Sequence, residues 1–138
     1  MLTIDPNVWV SAADRTDVLN RPSRQFLAAA ARQHLPIYLP TFAWLEIACA
    51  LARRRQDAAR GQQLASMVLN SPHVMRVQFD GPLLTQTLLS GPSLFLRGAD
   101  ALYAATAVMY ATQLISWDDE LIRRAGALTP SDWLAANS

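Results

Sequence analysis

The chain contains no lysine: all 12 of its Lys-plus-Arg positions are arginine. Receiver domains and aspartyl-phosphate phosphatases, which also set carboxylates at strand ends, normally use a lysine, so its absence argues against both. Arginine suits bidentate contacts to phosphate, although a chain this rich in alanine and arginine also reflects coding bias. There is one cysteine, Cys49, which excludes an internal disulfide and disfavours a cysteine-based zinc site. It stands among Ile47, Ala48 and Leu51, where a small core residue is expected. The formal net charge of +1 is too small to indicate a nucleic-acid partner by itself. The most apolar stretch, residues 37–52, contains Pro40 and Glu46 and falls short of the ~20 apolar residues that span a bilayer. No secretory signal is visible, because the first residues already form a strand. These absences lead to the expectation of a soluble, cytoplasmic protein. The only two histidines, His34 and His73, are far apart without ligand-like spacing, so surface or turn positions are expected for both.

What is present is enough for a core. The 138 residues suit one domain, residues 1–138, and 51% of them are apolar, which places the chain among globular proteins. Short apolar strands alternate with helices. Strands are expected at 2–5, 36–39, 73–79 and 113–117, with a last short one at 127–129. Helices are expected at 7–13, 23–34, 41–55, 57–69, 82–89, 98–112 and 119–125. Thr41 is a candidate N-cap, Gly61 weakens its helix, and Gly91-Pro92 stops another. The alternation predicts an α/β fold, a mostly parallel five-stranded sheet with helices on both faces. Ligands of such sheets bind outside the carboxyl ends of the strands.

Four acids fall towards that rim. Asp5 closes the strand Leu2-Thr3-Ile4, and Asp118 closes a strand ending in Ser116-Trp117. Asp100 opens the apolar helix Ala101-Leu102-Tyr103-Ala104-Ala105, and Glu46 interrupts the apolar run 42–49. Each has an ordinary explanation. Asp5 and Asp118 could cap helices, Asp100 could favour a helix N-terminus, and Glu46 could face water. Glu46 resists its explanation best, because no charged residue stands three or four positions away. Carboxylates set against apolar surface are usually paired or metal-bound. Four together form an oxygen-ligand site for Mg²⁺ or Mn²⁺, of the kind that most often works on phosphate esters. Arg97 is a candidate contact for the substrate phosphate. The run Arg53-Arg54-Arg55 could track an RNA backbone, or end a helix favourably against its dipole.

Those residues carry a family resemblance. Asp5-Pro6-Asn7-Val8-Trp9-Val10, then Pro40-Thr41 leading to Glu46, then Leu96-Arg97-Gly98-Ala99-Asp100-Ala101-Leu102-Tyr103-Ala104-Ala105, and finally Ile115-Ser116-Trp117-Asp118 occur in an order that resembles PIN-domain nucleases. Specifically, the chain resembles the small VapC-type toxins of toxin–antitoxin pairs, over essentially its whole length. The resemblance implies that Asp5, Glu46, Asp100 and Asp118 are the catalytic acids and bind Mg²⁺ or Mn²⁺. Asn7, Thr41 and Ser116 would support them. Asp119 adjoins Asp118, and Asp118 is preferred as the inner ligand because it stands two residues after Ser116. The activity implied is an endoribonuclease that cleaves phosphodiester bonds by a metal-activated water. A cognate antitoxin and a homodimer are implied as partners. The alternatives are a PIN-like nuclease acting on DNA or in RNA processing, and a non-catalytic binding module.

Overall fold

The computed structural model describes residues 1–138. Its strands are β1 (Leu2–Ile4), β2 (Ile37–Pro40), β3 (Val74–Val77) and β4 (Gln113–Ile115). They form one sheet in the order β3-β2-β1-β4, every pair parallel. Between β1 and β2 lie α1 (Pro6–Ala13) and α2 (Asn20–Arg32). Between β2 and β3 lie α3 (Phe42–Arg55) and α4 (Ala58–Leu69). Between β3 and β4 lie α5 (Gly81–Ser93) and α6 (Gly98–Met109), and α7 (Asp119–Ala125) and α8 (Pro130–Ala136) close the chain.

Right-handed crossovers explain the layers. The chain steps from β1 outward to β2 and β3, which puts α1 to α4 over one face. It then returns past β1 to β4, which puts α5 and α6 over the other, and α6 packs against β1, β2 and β4. The direction reverses between β1 and β4, so the carboxyl ends of those two strands flank a switch point of the kind where α/β sheets bind ligands. Asp5 follows β1 and Asp118 lies three residues beyond Ile115.

The strands are hydrophobic without alternation because both faces are covered: Leu2, Thr3 and Ile4 are all buried. α6 is buried from Ala101 through Ala107, which fits a helix wedged between the sheet and α5. Fully buried Phe26 meets Trp133 edge-on at 5.2 Å, tying α8 to α2; a side chain of this size contributes roughly 1.5–3 kcal/mol on burial.

Several expectations need correction. The sheet has four strands, not five. At the place of the fifth, only Leu128 bridges, to Ile115. The segment between the left-handed cap Gly126 and the N-cap Thr129 of α8 has no length for more, and Pro130 has no amide to donate. α8 itself was not foreseen. α5 does not stop at Gly91-Pro92 but runs to Ser93; Gly91 is needed where α5 crosses α6, since a Cβ there would lie 2.7 Å from Ala101 Cβ. Cys49 is exposed rather than in the core. Ala43, Ile47 and Leu51 take the inner stripe of α3 at every fourth residue, and Cys49 falls on the opposite side.

Candidate active site

Asp5 sits at the junction of β1 and α1. Its Oδ1 accepts the amide of Asn7 at 3.3 Å, capping α1. Its Oδ2 accepts the Ser116 hydroxyl at 2.6 Å. Only 6% of Asp5 is exposed. Burial pushes its carboxyl up to about 7; the bonds from Ser116 and Asn7 oppose the rise, and the charges of Asp100 and Glu46 add to it. The cap does not exclude a further role, because the second oxygen faces Ser116 rather than the helix.

Ser116 is the hub that joins the two strand ends. Its buried oxygen donates to Asp5 and accepts from the Asn7 amide nitrogen Nδ2 at 3.3 Å and from the Asp118 backbone at 2.9 Å. Asn7 Oδ1 in turn accepts the Trp117 amide at 3.4 Å. Ser116 thus touches Asp5 directly, whereas Asn7 reaches it with its backbone amide and holds Ser116 and the Trp117 amide with its side chain. Thr41 stands at the end of β2 and precedes α3, but its side chain makes no capping bond and no hydrogen bond to the acids.

Asp118 caps α7 by accepting the Leu121 amide at 3.1 Å. Its other oxygen faces Arg97 Nη2 at 3.3 Å, and the same nitrogen lies 3.4 Å from Asp100 Oδ2. Asp119 points away: its side chain is 78% exposed and pairs with Arg123 at 2.7 Å. Asp100 is in the first turn of α6. Its Oδ2 is buried and has no hydrogen bond, so it meets Arg97 only as an ion pair. Burial raises its pKa, the Asp118 charge raises it further, and Arg97 lowers it.

Glu46 is turned to a partner from another helix: the Tyr103 hydroxyl donates to its Oε1 in a very short bond. Burial, then this bond and the Glu46 charge, push the Tyr103 phenol far above its ordinary value. Tyr103 was not foreseen as part of the site. Its place three residues after Asp100 puts it on the same face of α6, and that spacing was the available signal.

The four acids therefore share one rim and one field, but not one contact point. Asp5 is linked through Ser116 to Asp118, Asp118 through Arg97 to Asp100, and Glu46 to Tyr103. No three His, Cys, Asp or Glu side chains are grouped closely enough to hold an ion between them. The donor chemistry nonetheless suits a hard cation: all are carboxylates, and Asp100 presents a buried oxygen that no hydrogen bond satisfies. Arg97, the candidate phosphate contact, supplies the positive charge between Asp100 and Asp118. Of the run Arg53-Arg54-Arg55, Arg54 pairs with Asp17 at 2.5 Å, and Arg54 and Arg55 each lie 3.6 Å from Asp14. A cleft of about 870 Å³ lies elsewhere, lined by Trp9, Arg21, Arg24, Leu27, Leu64 and Met67 among others.

A family model of the PIN domain matches residues 2–128. Solved structures share the fold. A toxin–antitoxin complex from Klebsiella pneumoniae aligns with a TM-score of 0.68 and 18% identity, over 94% of this chain and 98% of that one. FitAcB from Neisseria gonorrhoeae aligns at 0.70 and 17%, over 95% and 99%. VapBC2 from Rickettsia felis, bound to a DNA fragment from its promoter, aligns at 0.69 and 13%, over 93% and 96%. At these identities the likeness is one of fold. No curated protein sequence matches the chain.

Proposed function

The chain belongs to the PIN-domain family, and on that premise we propose that it is a divalent-metal-dependent endoribonuclease, the toxin of a toxin–antitoxin pair. The observation that carries the reading is the arrangement of Asp5, Glu46, Asp100 and Asp118 around the β1–β4 switch point, two of them bridged by one guanidinium. Asp5, Asp100 and Asp118 would hold Mg²⁺ or Mn²⁺, with Glu46 completing the acidic rim. When bound, the ion would neutralise the anionic phosphodiester and activate a water for attack. The chain's own groups do the rest. Ser116 and Asn7 fix the Asp5 carboxylate, Tyr103 fixes Glu46, and Arg97 is the cation nearest to an incoming phosphate.

The protein partners proposed are an antitoxin and a second copy of the chain. The Klebsiella neighbour is a toxin–antitoxin complex, which supports the first. The apolar cleft between α1, α2 and α4 is a surface on which such a partner can bury itself. Leu84 and Leu88, one turn apart on α5, are 45% and 64% exposed, which supports the second. No helix is long and apolar enough to cross a membrane.

The test is cleavage of end-labelled single-stranded RNA, tRNA and DNA, each with EDTA, Mg²⁺ or Mn²⁺. RNA cutting that needs the metal is expected. Cutting of DNA alone would replace the substrate assignment, and no cutting with no metal-induced rise in melting temperature would leave a binding module.

Arg97 gives a sharper test. It shares Asp100 and Asp118 with any ion that binds there, so the two cations compete. Arg97→Gln is expected to bind Mn²⁺ roughly threefold to tenfold more tightly, the range that two exposed ion pairs can contribute, while the KM for RNA rises. Calorimetric titration with Mn²⁺ reads the first effect; equal or weaker Mn²⁺ binding would show that Arg97 does not share its carboxylates with the ion.

A further inference from the structure

On the sheet edge opposite the acids, the two histidines face each other. His34 follows α2 at a left-handed φ of 53°, and His73 directly precedes β3. Strand pairing brings them together. Ile37 pairs with Val74, and the Ile37 amide donates to the His73 carbonyl at 2.8 Å. The turn before β2 thus lies beside the entry to β3, although the residues are 39 positions apart.

His34 Nδ1 and His73 Nε2 are 3.4 Å apart, and the ring centroids are 5.2 Å apart with planes at 62°. The pair is within hydrogen-bond reach, but the contact is long for one, and a straight N–H···N bond of that length would separate the centroids by roughly 5.7 Å. Two imidazoles on one tetrahedral ion, with bonds of about 2.0–2.1 Å, place their nitrogens about 3.3–3.4 Å apart and their centroids about 5.2 Å apart. Both observed distances match that geometry.

We propose that His34 and His73 form a two-histidine site for a borderline transition ion, Ni²⁺, Cu²⁺ or Zn²⁺. Water fills the remaining positions, since no third His, Cys, Asp or Glu joins the pair. Imidazole nitrogens select these ions, whereas the carboxylates of the opposite rim select hard ones. The ion would tie the end of α2 to the start of β3 and stabilise the folded chain by mass action.

The test is calorimetric titration of the whole protein with Ni²⁺ in excess Mg²⁺, which occupies the carboxylates. Wild type, His34→Asn, His73→Gln and the double variant are compared; asparagine is chosen because it tolerates left-handed φ. One Ni²⁺ is expected on wild type. Each single variant should lose roughly tenfold or more in affinity, the advantage of a second donor held nearby, and the double variant, with no imidazole left, should show no Ni²⁺ binding beyond what Mg²⁺ displaces. Single variants that each bind within about twofold of wild type would overturn the chelate. Nuclear magnetic resonance of wild type with Ni²⁺ gives a reading independent of the variants: both imidazoles should broaden together, and broadening of one alone would sink the proposal.

Discussion

Asp5→Asn is expected to abolish cleavage and, in EDTA at pH 8, to raise the melting temperature. The loss of activity should be roughly a thousandfold or more, the worth of several kcal/mol of charge stabilisation in the transition state. The gain in stability follows from burial. Asp5 is 6% exposed, and its carboxyl is pushed from 3.8 up to about 7. A carboxyl with a raised folded pKa holds its proton more tightly in the folded chain than in the unfolded one. Its contribution to stability is intact below about 3.8 and is lost as pH rises through about 7. Above that, charge burial costs on the order of a few kcal/mol. Asp100 is raised as well and acts in the same direction. Asp14 is lowered, chiefly by its Thr16 hydrogen bonds, so its contribution is lost only at pH values below this window. Metal-free wild type should therefore melt lower at pH 8 than at pH 5.5, and Asp5→Asn should flatten the difference. Asparagine cannot accept from both Ser116 and Asn7 with the same oxygens, which reduces the gain without reversing it. Scanning calorimetry at the two pH values decides: a variant that melts lower than wild type at pH 8 would mean that the carboxylate's hydrogen bonds outweigh its charge.

The rim was legible because strand ends and helix starts are written locally. Leu2-Thr3-Ile4 before Asp5, and the apolar run after Asp100, fix where those carboxylates leave their elements. Topology then puts the carboxyl ends of parallel strands on one side. What joins the acids was not legible, since it depends on distances across the chain. Ser116 reaches Asp5 over 111 positions, and Tyr103 reaches Glu46 over 57. The histidine pair failed to register for the same reason: spacing along the sequence says nothing about two turns that sheet register brings together. The fifth strand was a misreading of another kind. Ala127 and Leu128 are a short apolar stretch, but Gly126 and Pro130 on either side leave no room for a ladder.

Gly61→Ala should cost about 2 kcal/mol net, although alanine is the better helix former. In isolation the substitution would gain about 1 kcal/mol in helix propensity, which is why Gly61 read as a weak point of its helix. Packing reverses the sign. A Cβ at Gly61 would lie 2.2 Å from the Ala48 carbonyl oxygen and 3.0 Å from Ala52 Cβ. The first contact is with backbone, which cannot rotate away, so α3 and α4 must separate. Overpacking of this kind costs roughly 1–3 kcal/mol or more, and a melting temperature lower by roughly 5–10 °C is expected. Gly81→Ala is the control, because a Cβ there meets nothing within 4 Å; it should melt within about 2 °C of wild type. The displacement would also reach the active rim. Ala48 is two residues from Glu46 on α3, so pushing α3 off α4 shifts Glu46 against Tyr103 on α6. Activity measured well below the melting point should fall in Gly61→Ala and stay unchanged in Gly81→Ala. Equal melting temperatures for the two variants would mean that α3 and α4 can part freely, and that the glycine is only the helix weakness it resembles.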